Sequence, residues 1–361
     1  MMVHDGFSAE AVLKHVSTRL PGFVATAAPV ALSGGFMNYV WRVVGRPQNI
    51  VVKYAPPYIA TRPEVWLDPA RLAVEARCLA AFSLGGPLAA LSQPALRPPA
   101  LLDFEADSGV LIQEDVGQWP DLGQWLRAEA GEPEQARQVG RLIGQFIGAL
   151  HRQTYGDEAL RPPFNNLTIQ ESRLSGQYAR IAEYLARGRV PDAAALGSRA
   201  LALGHHFLTP GLGLIMGDLW PPSLLVTADG LRLIDWEFAH FGRPAQDVGH
   251  LVAHLWMHRH RAATRLGAAL SQAVLDGFGR AYRQTLGQRL AEVFGPDGVR
   301  ESAIHFGAEI LARTVGSYQA GHLYDNQGPE SGPVQEAVQV AAAHIRGPEA
   351  SSIFAYFTGE P

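Results

Sequence analysis

The sequence predicts an α+β chain in two parts: an N-terminal antiparallel sheet with one helix over residues 1–116, and a larger, mainly helical part over 117–361. Short runs of β-branched and aromatic residues, divided by Gly- and Pro-containing turns, fill the first third. Apolar residues at helical spacing dominate after Gly117, and the pattern changes over residues 114–117. Taken in order, a strand from Ala31 leads into the turn Ser33-Gly34-Gly35, a strand over 38–44 and a strand over 49–53. A helix follows over 68–82, with Asp68 as its cap and Pro69 in its first turn. A Gly/Pro/Ala-rich link leads to a hairpin of strands 101–104 and 110–112, closed around Asp107-Ser108-Gly109.

In the second part, helical stripes cover 134–152, 246–265, 270–285, 299–315 and 334–345. Strand signals interrupt them only between Leu212 and Phe238, where runs at 212–216, 223–226 and 231–234 flank a loop and an Asp229-Gly230 turn. With 361 residues against a typical domain of about 150, the chain can bury a large core. A single cysteine, Cys78, excludes an intramolecular disulfide and fits a reducing cytoplasm. No secretory leader pattern opens the sequence. A net charge of −4 with no basic run gives no surface for nucleic acid or an anionic membrane, so the expected partner is a small molecule. The uncharged stretch 200–217 carries His205, His206, Thr209, Pro210 and four glycines, which a membrane span would not hold at that density.

Of thirty basic residues only Lys14 and Lys53 are lysines, and Lys53 lies inside an apolar strand pattern. A compact ammonium in that place suits a phosphate better than a planar guanidinium does. Two acidic groups flank the hairpin in the second half: Gly217-Asp218 with Trp220 and Ser223, and Asp235-Trp236-Glu237. On an extended chain Asp235 and Glu237 share one face and hold a divalent cation between them, oxygen ligands being those Mg²⁺ prefers. Phosphoryl transfer asks for an Asp on the attacking hydroxyl, acidic metal ligands and a distant Lys on the phosphates, and all are present in the order a bilobal kinase uses. His250, His254 and His258 recur every four residues, and with no cysteine nearby they read as core or partner-facing side chains rather than a zinc site.

Ser33-Gly34-Gly35-Phe36-Met37-Asn38, Val51-Val52-Lys53, Glu75, Gly217-Asp218 and Asp235-Trp236-Glu237 together resemble the aminoglycoside phosphotransferase and choline kinase superfamily, with its protein-kinase-like bilobal fold. Within it the segments Val51–Tyr58, Trp66–Arg71, Asp218 with Ser223, Asp235-x-Glu237 and Arg313-Thr314-Val315-Gly316 are most similar to S-methyl-5-thioribose kinases. The resemblance implies ATP and Mg²⁺ as cofactors. It places Gly34, Gly35 and Asn38 over the nucleotide, Lys53 on the α- and β-phosphates paired with Glu75, and Glu114 with the backbone through Val116 at the adenine. It makes Asp218 the catalytic base, Asp235, Glu237 and Ser223 metal ligands, Asp247 a brace for the catalytic loop, and Arg313 a neighbour of the acceptor; Trp220 and Trp236, by adjoining the acidic loop positions, are expected to line the acceptor site. A homodimer is implied by the resemblance alone.

Two departures stand out: Met216 where the superfamily has His, and Ala312 where thioribose kinases have a first Arg before Arg313. The expected activity is ATP-dependent phosphorylation of a hydroxyl on methylthioribose or a related sugar. The alternatives are a kinase of another small alcohol or amine, and a catalytically silent binding protein of the same fold. An acidic acceptor site without Arg partners favours a cationic amine; one with Arg313 pointing in favours a polyol.

Overall fold

A computed structural model describes residues 7–32, 36–129, 131–348 and 352–358. The chain divides into two compact units, the first comprising Met1–Gln93, Arg97–Gln118 and Arg232–Ala239, the second Pro94–Leu96, Trp119–Leu231 and His240–Pro361.

In the first unit five strands lie in the spatial order Val30–Ala31, Tyr39–Val43, Ile50–Tyr54, Val110–Glu114, Leu101–Glu105, antiparallel at every step. Alternation along the strands sorts the side chains. Trp41, Val43, Ile50, Val52, Val110 and Ile112 share one core with Val12 and Val16 of a helix Ala9–Arg19. That helix is an addition to the one expected in this part. Its signals were local: Ser8 caps it, accepting from the Ala11 amide, and Val12 and Val16 sit four residues apart. Lys53, adjacent to Val52, points to the other face, toward the helix Arg71–Phe82. This second helix begins at Arg71 rather than at Pro69, because Asp68 accepts from the Ala70 amide in the turn before it. The hairpin turn holds Gly109 at φ +63°, a left-handed conformation that glycine adopts without strain.

The second unit is built on the long helices Pro133–Thr154, Pro244–His260, Arg265–Leu286, Gly298–Thr314 and Gly332–Arg346. The helices Leu122–Ala128, Leu167–Gly176, Ile181–Arg187 and Ala193–Phe207 escaped the sequence reading; the first three have stripes too short or too polar to stand out, whereas the last buries Leu196, Ala200, Leu203 and Phe207 at helical spacing. The helices Pro133–Thr154 and Arg265–Leu286 pack through small residues. A Cβ on Gly140 would lie 2.0 Å from the Val274 carbonyl oxygen, and one on Gly144 2.4 Å from that of Phe278. Backbone cannot retreat without parting the helices, so Gly140→Ala is expected to lower stability by about 1–3 kcal/mol, read as a lower urea midpoint at unchanged slope.

The uncharged stretch examined for membrane character ends the helix Ala193–Phe207 and forms the strand Gly213–Ile215, antiparallel to His240–Gly242. Among the described residues no helix is long and apolar enough to cross a membrane.

Candidate active site

In the first unit the buried Lys53 ammonium lies 2.7 Å from Glu75 Oε1 and 2.5 Å from Asp235 Oδ1. Burial alone lowers a lysine's pKa, but the two carboxylates more than offset it, so Lys53 is raised above its ordinary value and stays charged. Burial pushes Glu75 up to about 7, against the pull of Lys53. Asp235 differs from both in being 44 % exposed, and its second oxygen has no partner among the described residues. It stands at φ +64°, which ends the strand Gly230–Leu233 and opens the short turn Trp236–Phe238. A non-glycine residue there costs roughly 1–2 kcal/mol, held by the contacts around it.

That bend corrects the expected Asp235–Glu237 pair. The two residues are not on an extended chain, and their carboxylates face different partners. Glu237 is buried with both oxygens 3.0 Å from Asn38 Nδ2, and its Oε2 also accepts from Arg71 Nε at 3.1 Å. Nitrogen donors from Asn38 and Arg71 meet it; burial raises its pKa, opposed by Arg71 and Lys53. Asn38 turns its amide to Glu237, and its Oδ1 accepts from Arg71 Nη2 at 2.9 Å. Arg71, to which no role was given, donates further to the carbonyls of Met37, Pro56, Leu67 and Asp68. Trp236 is fully buried on Phe82, its indole N–H donating to the Leu233 carbonyl.

Glu114 ends its strand with its carboxylate clamped by Arg97, at 2.6 and 2.7 Å, and by the Ala100 amide. The arginine fork holds it below the ordinary carboxylate range. Val116 lies half-buried two residues on. Gly34 and Gly35 fall outside the described residues.

In the second unit the loop Met216–Ser223 is pinned from below by Asp247 in the first turn of Pro244–His260. Its two oxygens accept from the Met216 and Gly217 amides, each at 2.8 Å, and His151 completes the brace at 3.2 Å. Ser223 is buried, its hydroxyl directed at the Asp218 carbonyl 3.5 Å away, so it faces the loop it was expected to complete as a metal ligand. The Asp218 carboxylate meets Arg173, its Oδ1 accepting from Nη2 at 2.6 Å, and faces His250 Nε2 at 3.5 Å.

Behind it two polar stripes oppose one another: His250, His254 and His258 on one helix, and His305, Glu309 and Arg313, also four residues apart, on Gly298–Thr314. Glu309 accepts from Gln177, His254 and Arg313 at 2.6, 3.3 and 3.0 Å. Burial alone would raise Glu309, yet the imidazoles and the Arg313 guanidinium hold it well below the ordinary range. Arg313 also stacks on Trp220, 4.7 Å from the ring centroid, and donates to His322. Trp220 packs edge-on against His254 and tilted against His322. His250, His305 and Glu309 offer ligand atoms within 4.8 Å of one another, but the Arg173 guanidinium, 3.5 Å from His250 Nδ1, already supplies the positive charge.

Burial keeps these histidines neutral, lowering His258 and His322 to about 3 and His250 and His305 well below their ordinary value. Each therefore takes up protons first in the unfolded chain, whose pKa is about 6.5, and its stabilisation is lost as pH falls through that value. Glu301 and Glu75, both raised to about 7 by burial, and Glu237, also raised, work in the opposite direction but are fewer than the lowered histidines. We expect the urea midpoint to drop between pH 7 and pH 5, with a loss of about 2 kcal/mol per deeply lowered histidine. A flat profile would show that these rings are protonated in the folded chain.

Sequence reasoning missed Arg71, Arg173, Glu309 and His322. The signal for Glu309 was its place in the stripe 305–309–313, which matches the histidine stripe; Arg173 carried none, lying in a polar stretch with no periodic pattern.

With this geometry in view, the comparisons are consistent. Residues 29–293 match the model of the phosphotransferase enzyme family, and the chain belongs to that family. It is accordingly a small-molecule kinase with a hydroxyl acceptor. It is 26 % identical over 300 residues to the 4-hydroxytryptamine kinase of Psilocybe cyanescens, covering 79 % of this chain and 83 % of that one. It is 27 % identical over 272 residues to the methylthioribose kinase of Cronobacter sakazakii (strain ATCC BAA-894), covering 68 % and 65 %. Its fold is shared with the choline kinase of Cryptosporidium parvum Iowa II, at TM-score 0.55, 12 % identity and 95 % of each chain. It is shared too with the amicoumacin kinase hAmiN in complex with AMP-PNP, Ca²⁺ and Ami, at TM-score 0.53, 14 % identity and 98 % of each chain. The protein-kinase-like class expected from the sequence is the observed one.

Proposed function

We propose that this chain transfers the γ-phosphoryl group of ATP to a hydroxyl of a small, uncharged acceptor, methylthioribose or a related sugar, with Mg²⁺ as the metal. The observation that carries the ATP half is Lys53, a charged lysine buried between two carboxylates: the arrangement orients an ammonium toward phosphate oxygens and keeps it protonated. Asp235, with an exposed oxygen lacking a partner, fits the metal; Glu237, engaged by Asn38 and Arg71, supports that turn from behind. Bound Mg²⁺ supplies charge neutralisation on the β- and γ-phosphates. Asp218 takes the proton of the acceptor hydroxyl as its oxygen bonds to the γ-phosphorus and the bond to the bridging oxygen of ADP breaks.

The uncharged acceptor follows from the charge count around Asp218. Two carboxylates, Asp218 and Glu309, meet two guanidiniums, Arg173 and Arg313, and the histidines between them are held neutral. Glu309 is saturated with donors, which leaves no spare carboxylate for an ammonium group. A second reading, an aromatic hydroxyl acceptor as named for the 4-hydroxytryptamine kinases, is favoured by Trp220 and the imidazoles beside it.

The test is ADP release with ATP and Mg²⁺ over methylthioribose, ribose, 4-hydroxytryptamine, choline, ethanolamine and an aminoglycoside. Turnover with the sugars sustains the first reading; turnover with 4-hydroxytryptamine, whose side-chain amine is an ammonium at neutral pH, sustains the second and overturns the charge argument. Release with choline or an aminoglycoside alone overturns the charge argument, and ATP binding without turnover of any acceptor leaves the silent binding protein.

A further inference from the structure

We propose that Arg173 is the positioning residue for Asp218, fixing one carboxylate oxygen and the loop backbone so that the other oxygen is left for the acceptor hydroxyl; this rests on Asp218 being the base. Arg173 lies in the last turn of Leu167–Gly176, its side chain only 11 % exposed. One nitrogen, Nη2, donates both to Asp218 Oδ1 at 2.6 Å and to the Gly217 carbonyl at 2.9 Å, so a single guanidinium ties down the side chain of one residue and the backbone of its neighbour.

The loop needs such a tie. Gly217 stands at φ +78°, Met216 offers no side-chain hydrogen bond, and Asp247 takes only the two amides, leaving the Gly217 carbonyl to Arg173 and Gln246. Asp218 is thus held by Oδ1 alone; Oδ2 has no partner among the described residues, and the carboxylate is 19 % exposed.

His250 completes the arrangement. Its Nδ1 faces the donors Arg173 Nη1 at 3.5 Å and His305 Nε2 at 3.4 Å, so Nδ1 is the accepting nitrogen and the proton sits on Nε2. That buried N–H has no hydrogen-bond partner and lies between Asp218 Oδ1 at 3.5 Å and Glu309 Oε1 at 3.6 Å. Any swing of Asp218 away from Arg173 is therefore drawn toward the same side, and Oδ2 keeps its outward aim.

A lysine cannot reproduce this, since one ammonium on a flexible stem lacks the fork that fixes direction. With Arg173→Met, kcat is expected to fall about 100-fold, the scale of a misplaced catalytic group, while the KM for ATP moves less than about threefold. Arg173→Lys should recover part of the loss, and added guanidinium should raise the turnover of Arg173→Ala. A merely structural arginine would instead lower the folded fraction, leaving kcat per nucleotide-binding site unchanged. That result, or a folded Lys variant with wild-type kcat and no guanidinium rescue in the Ala variant, overturns the proposal. If the wild-type chain turns over none of the acceptors, the functional reading is what has failed. A crystal structure of the Arg173→Lys chain then decides the positioning role: Asp218 turned from its rotamer supports it, and an unmoved carboxylate refutes it.

Discussion

Asp218→Asn should lose at least about a hundredfold in turnover, the usual scale for a general base, while ADP still binds with wild-type affinity. Asparagine is the informative change because its carbonyl can still accept from Arg173, whereas alanine strands a buried guanidinium 2.6 Å from where the carboxylate stood and adds a stability loss to the kinetic one. Asp218→Ala belongs beside it as the blank. Lys53, Glu75 and Asp235 form their own hydrogen-bonded group in the first unit, so nucleotide binding is the control that separates the two roles. Equal loss of ADP affinity in Asp218→Asn would remove the residue from the base role. Isothermal titration with ADP and Mg²⁺, run beside the ADP-release assay, reads both quantities.

Arg71→Met is expected to give the largest loss of stability, about 3–5 kcal/mol, seen as a urea midpoint shift. The guanidinium is buried and donates to Glu237, to Asn38 and to four backbone carbonyls. Removing it takes the guanidinium from the buried Glu237 carboxylate, and leaves the carbonyls of Leu67 and Asp68 without this donor. The double variant Arg71→Met, Glu237→Gln should recover part of the loss, because a neutral amide costs less to bury than an unpaired carboxylate. Additive losses in the double variant would show that the pair is not coupled and that Glu237 is held chiefly by Asn38. A drop in Mg²⁺-ADP affinity in the single variant is expected to accompany the stability loss, since Glu237 sits two residues from Asp235 in the same short turn.

Elements with strong periodicity were legible. The strands around Val52 and Ile112, the hairpin at Gly109 and the helices Pro133–Thr154 and Arg265–Leu286 lie within a few residues of where apolar spacing put them. Helix boundaries slipped where side-chain bonding overrode propensity, as when Asp68 accepted from the Ala70 amide and delayed the helix to Arg71. The short helices of the second unit were not legible, because each buries only a few side chains against neighbours distant in sequence, and no local pattern records that.

The chemistry divides in the same way. Lysine scarcity, the order of Lys53, Glu75, Asp218 and Asp235, and the four-residue spacing of the histidines are written in the chain, and the match over residues 29–293 shows the phosphotransferase family. What each carboxylate faces is not. Whether Glu237 binds a cation or a guanidinium, whether Trp236 meets an acceptor or Phe82, and whether Asp218 stands alone or against Arg173 depend on residues 45 to 199 positions away or on a single bend at Asp235. Residue type and spacing determine which groups are available. Only tertiary packing, by burying those groups and forcing each to find a partner, determines which of them remain free to react.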